Sequence, residues 1–112
     1  MLDFERISEE AHRIAREHGF HDTQKGPFRF PVMLLLLHSE LSEAVEEFRT
    51  WEPDEIDPKL PDKFIEEIAD VFIRLADMVA FSEIGIERFK KAVWEKMEKN
   101  EKRPYRHGGK RI

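Results

Sequence analysis

Two stretches decide the fold: His38-Ser39-Glu40-Leu41-Ser42-Glu43-Ala44-Val45-Glu46-Glu47 and Phe64-Ile65-Glu66-Glu67-Ile68-Ala69-Asp70-Val71-Phe72. At about 100° per residue, Glu40 and Glu43 lie within roughly 60° of each other on one helical face. Glu47 falls between them in angle, a turn further on. Met33, Leu37, Leu41, Ala44 and Phe48 form the neighbouring apolar stripe. The second stretch repeats the plan. Glu67 and Asp70 share a face, Asp77 extends it, and Ile68, Val71, Leu75 and Val79 make the adjacent stripe. If the stripes pack antiparallel, both acid pairs sit at the edge of the seam and face a common site.

Working outward, the same helical period recurs and β-alternation does not. A first helix over residues 3–17 is carried by Phe4, Ile7, Ala11, Ile14 and Ala15, with a stop at His18-Gly19. The loop HDTQKGPFRF leads to Pro31, which opens a second helix over 31–49. WEPDEIDPKLP cannot continue it, because its three prolines break helices. Asp62 is placed to cap a third helix over 63–82. Gly85 separates that helix from a fourth over 86–101, and residues 103–112 form a basic tail. The expectation is an all-α, four-helix bundle-like single domain spanning 1–112. Leu34 to Leu37 cover most of a helix circumference, more than a chain of four helices can bury alone. A homo-oligomer, dimer or tetramer, is therefore expected.

Bulk properties narrow the function. The net charge of −5 argues against a general nucleic-acid binder. The chain has no cysteine, so a disulfide framework and a thiolate zinc site are excluded. The charged N-terminus is no secretory signal, and the longest apolar run, Val32 to Leu37, is far short of a membrane span. A cytoplasmic protein is expected. Four carboxylates converging without cations repel one another, and an all-oxygen ligand set suits a hard ion such as Mg²⁺ or Mn²⁺. Acids three apart are also the ordinary make-up of a solvated helix face, and 24 of the residues are acidic. Spacing alone leaves both readings open.

Glu40-x-x-Glu43 and Glu67-x-x-Asp70 are separated by 23 residues and lie on consecutive helices. This arrangement resembles the ExxE…ExxD signature of the MazG-like all-α nucleoside triphosphate pyrophosphohydrolases. LLLLHSELSEAVEEFR, EEIADVFIRLADM and the ending KMEKNEKRPYRHGGK extend the likeness over residues 31–110. The resemblance implies cleavage of a (deoxy)nucleoside triphosphate to monophosphate and pyrophosphate. Glu40, Glu43, Glu67 and Asp70 would hold Mg²⁺, and a water activated there would attack the α-phosphorus. Glu43 is the favoured proton acceptor, with Glu47 behind it. Asn100, Arg103 and Lys110 would contact phosphate, with Arg106 beside them. Gly108-Gly109 would let backbone amides approach an anion. Lys63 and Arg74 share the acidic face of the third helix; such cations either touch phosphate or pair with nearby acids.

Trp51, Phe28 and Phe30 are candidates for base stacking, but core packing is the simpler role for each. Trp94, with Phe89, Val93 and Met97, reads as core. Of the histidines, only His12 stands in a Glu-x-x-His pair, with Glu9, so a ferritin-like di-iron centre is disfavoured. His38 points away from Glu40. Three alternatives stay open: a phosphoribosyl-ATP pyrophosphohydrolase-type enzyme, a non-catalytic nucleotide- or protein-binding module, and a purely structural bundle.

Overall fold

The computed structural model describes residues 3–22 and 26–104. Its elements are α1 (Phe4–Glu17), a 3-10 turn (Gly26–Phe28), α2 (Arg29–Arg49), α3 (Asp62–Val79) and α4 (Ile86–Glu101). Among the described residues every regular element is helical. No helix there is long and apolar enough to cross a membrane.

Local chemistry explains the boundaries. Asp3 caps α1, its carboxylate accepting from the Arg6 amide at 3.4 Å. At the other end Phe20 N–H donates to Ala15 O (2.9 Å) and Gly19 N–H to Arg16 O (3.1 Å), the paired bonds of a Schellman turn. Gly19 makes that turn at φ +78°, where an added Cβ would also stand 3.1 Å from Asp22 Oδ2. Gly19→Ala is therefore expected to cost about 1–2 kcal/mol, seen as a lower urea midpoint. An unchanged midpoint would mean that the turn is free to reopen.

Helix α2 begins two residues before Pro31, which is tolerated because first-turn amides have no helical acceptor. Asp62 lies inside the first turn of α3, and Pro61 occupies the capping position. That helix also ends three residues before the expected 82. There the Ala80 and Phe81 amides turn back to Asp77 and Met78, and Gly85 N–H donates to Phe81 O at 2.8 Å.

Helix α3 is the centre of the molecule, packing against α1 on one side and α2 on the other. Small buried residues mark the α1–α3 seam, Ser8, Ala11 and Ala15 on α1 and Ala76 on α3. Ser8 Oγ–H donates to the Ala76 carbonyl across it. Helix α4 buries no residue. It meets the rest at its first turns, where Phe89 stacks on Phe4 with centroids 5.5 Å apart. Trp94 is 64% exposed and Met97 53%, so the expectation that they belong to the core is corrected. Their helical spacing reports a common face, but nothing among the described residues covers it.

The larger correction concerns the roll of α2 and α3. The acid pairs straddle the seam edge: Glu67 is buried and the Glu40 side chain keeps only 12% exposure, while Glu43 and Asp70 stay exposed, and Ala44 and Val79 of the two stripes are buried as expected. Leu41 and Ile68, expected inside, are nearly half exposed. Leu34, Leu35 and Leu36 also face outward.

Candidate metal centre

The α2–α3 seam brings together three of the four expected metal ligands. Glu40, Glu67 and Asp70 offer carboxylate oxygens that lie within 4.8 Å of one another. Their positions follow from the helical repeat, since residues three or four apart stack on one face and α3 lies against α2 along that face.

Two cations steady the cluster from its flanks. Arg74 Nε–H donates to Glu40 Oε1 at 2.9 Å, and Lys63 Nζ lies 3.2 Å from Glu67 Oε1. Both cations thus pair with acids, one of the two roles open to them from the sequence. Lys63 holds the Glu67 carboxyl below its ordinary range, chiefly through that hydrogen bond. The reverse contact raises the Lys63 ammonium, with smaller help from the charges of Glu66 and Glu47.

Glu43 is exposed and completes the acidic face. Its carboxyl is pushed up, first by the neighbouring Glu67 carboxylate and then by the charge of Glu40. Like charges held this close favour a proton or a metal between them.

One atom makes the cluster more than a solvated acid patch. Glu67 Oε2 is buried and has no hydrogen-bond partner among the described residues. A carboxylate oxygen removed from water without a partner is costly. Its nearest companions are other carboxylates, which cannot donate unless protonated. The donor set is oxygen only, which fits Mg²⁺ or Mn²⁺.

Other expected residues fall elsewhere. Asn100 and Arg103 are exposed at the far end of α4 and take no part in the carboxylate cluster. Arg106, Lys110 and Gly108-Gly109 lie outside the described residues. Phe28 is 81% exposed and does not pack in the core. Phe30 does pack, edge-on against Phe81 at 5.8 Å. Trp51 rests on Phe48 and donates its indole N–H to Lys59 O at 3.1 Å, closing the loop between α2 and α3.

A second constellation escaped the sequence reading. His12 Nδ1 and His21 Nε2 each lie 2.9 Å from Asp77 Oδ1. Position on one face marks His12 as inward, four residues after Ser8 and three before Ala15 on the buried side of α1. His21 gave no such sign, since the Gly19 turn delivers it.

A cavity of about 320 Å³ runs between the two clusters, with Asp70 and Arg74 in one part of its lining and His21 and Asp77 in another. Ile14, Phe20, Met33, Leu36 and Ile73 supply apolar walls. Comparison with protein-family models, curated proteins and solved structures yields no match for this chain.

Proposed function

We propose that this chain is a Mg²⁺-dependent nucleoside triphosphate pyrophosphohydrolase with a MazG-type fold, releasing monophosphate and pyrophosphate. The observation that carries the reading is the buried, unpartnered Glu67 Oε2 set among acids spaced as ExxE and ExxD. Glu40, Glu43, Glu67 and Asp70 would hold the ion. Bound there, Mg²⁺ supplies positive charge to the phosphoryl oxygens and makes a coordinated water more acidic.

The chain's own groups do the rest. Lys63 and Arg74 fix Glu67 and Glu40, so the carboxylates need little reorganisation at the moment of reaction. Glu43, exposed at the open side of the cluster, is the carboxylate assigned to accept the proton of the attacking water. Glu47 lies close enough to Lys63 to raise its ammonium and supports the site from behind. The apolar cavity beside Asp70 gives the organic part of the substrate a place out of water. Asn100, Arg103, Arg106 and Lys110 are assigned to phosphate.

We further propose a homo-oligomer. Leu34, Leu35, Leu36 and Leu41 give α2 exposed apolar surface that a second copy would bury. A helix α4 that stands off its own core can carry Asn100 and Arg103 to that copy's acids. Light scattering after gel filtration should give a dimer or tetramer, and Leu35→Glu should shift it towards monomer. A monomeric wild type overturns the assembly.

The test of the activity is a panel of nucleoside and deoxynucleoside triphosphates with Mg²⁺, followed by ³¹P NMR. Monophosphate and pyrophosphate are expected for at least one member. Diphosphate with inorganic phosphate, or no turnover at all, removes the proposal.

A further inference from the structure

Among the described residues, no lysine or arginine forms an ion pair with the buried Asp77. Its side chain keeps 10% exposure, and its ion-pair partners among the described residues are His12 and His21 alone. Arg74, the nearest arginine on the same helix, is committed to Glu40.

The arrangement around it is that of a ligand set. Two imidazole nitrogens converge on one oxygen, each at 2.9 Å. Metal–nitrogen bonds of about 2.05 Å at right angles separate neighbouring ligand atoms by about 2.9 Å, whereas a tetrahedral angle opens that edge to about 3.3 Å. The distance equally suits an N–H···O bond, and His12 Nδ1 also lies 3.2 Å from the Asp77 backbone carbonyl; the ring packing and the bordering cavity are what point to an ion. Both rings are fixed edge-on against Phe81 at 4.6 Å, and stack on each other at 5.3 Å, so they are preorganised. His21 and Asp77 border the cavity, which leaves room for further ligands.

We propose that His12, His21 and Asp77 form a second metal site, selective for a borderline divalent transition ion such as Zn²⁺ or Co²⁺. Two nitrogens and one carboxylate are the ligands such ions prefer, and Mg²⁺ has little use for imidazole. His12 binds through Nδ1 and His21 through Nε2, each ring keeping its proton on the other nitrogen. Asp70 and Asp77 are two turns apart on α3, about 10 Å along its axis, so one ion cannot serve both clusters. This site stands independently of the nucleotide reading.

The probe is Co²⁺, titrated into the full chain with excess Mg²⁺ present and followed by its visible absorption. One Co²⁺ per chain is expected. His12→Gln and His21→Gln should each weaken it at least about tenfold, while Glu67→Gln leaves it unchanged. Melting each variant in chelator checks folding. Should the histidine variants fail to fold, X-ray absorption of the Zn²⁺-loaded wild type takes their place: two imidazoles in the shell support the site, and an all-oxygen shell overturns it. Co²⁺ binding indifferent to both histidines, or lost with Glu67→Gln, overturns it as well.

Discussion

Glu43→Gln is expected to stabilise the metal-free protein and, in the same molecule, to abolish its response to Mg²⁺. The first effect follows from charge. Glu67, and behind it Glu40, raise the Glu43 carboxyl above its unfolded value. A carboxyl raised on folding contributes stability at pH below its unfolded pKa, and loses that contribution as pH rises through the folded pKa. At neutral pH the wild type therefore carries an unrelieved repulsion. The substitution removes it and presents an amide N–H to Glu67. The variant should melt a few degrees higher at neutral pH in chelator, with the advantage shrinking below the ordinary carboxylate range. Glu67 works in the opposite sense: its lowered carboxyl stabilises above the unfolded value and less as pH falls. Acidification thus closes the gap between the two proteins, since only the wild type carries the Glu43 carboxyl. With Mg²⁺ the order reverses. The wild type should gain stability with ion concentration and the variant should not, and turnover should fall on the order of 10²-fold. Thermal melts across pH, with and without Mg²⁺, read all of this. Equal Mg²⁺ stabilisation of both proteins would sink the acidic cluster as a metal centre.

The sequence showed which residues share a face, but not which way that face points. Asp3, Gly19, the prolines of the α2–α3 loop and Gly85 announce their elements because each acts through local backbone chemistry. Glu40 with Glu43, and Glu67 with Asp70, are likewise bound together by the helical repeat. The roll of each helix is a tertiary quantity. A stretch such as Leu34 to Leu37 is apolar all round, so it gives no angular preference, and the rule that apolar stripes face inward misplaces Leu41 and Ile68. Glu40 and Glu67 take up part of the seam in their place, while Ala44 and Val79 of the same stripes stay buried. Trp94 failed for a related reason: spacing identifies a face, and only the assembled molecule says what lies against it. The His12–His21–Asp77 cluster was out of reach for a third. Fifty-six residues separate His21 from Asp77, and the chain reversal at Gly19 is what brings them together.

Ala76→Leu should be the most damaging single change in the helical core. Ala76 has no exposed surface, and its carbonyl is in direct contact with Ser8 of α1, whose Ala11 and Ala15 are also buried. Small residues on both sides permit the Ser8 hydroxyl to reach the Ala76 carbonyl, a contact between helix faces and not between side-chain tips. A leucine adds three carbons at a position with no exposed surface. Either the side chain leaves its preferred rotamer or the helices separate; overpacking of this kind costs about 1–3 kcal/mol, sometimes more. Separation would also break the Ser8 bond, worth about 1 kcal/mol. Set against the 5–15 kcal/mol of total stability usual for a domain, roughly, that loss is a large fraction. The neighbouring Asp77 would move with the helix, so His12 and His21 should lose their common oxygen. Ser8→Ala is the matched control, since it removes the hydrogen bond without forcing the helices apart, and should cost about 1 kcal/mol. Urea unfolding of the two variants separates the contributions. If Ala76→Leu unfolds at the same denaturant concentration as Ser8→Ala, the seam has slack, and close approach of α1 to α3 is not what fixes the position of Asp77.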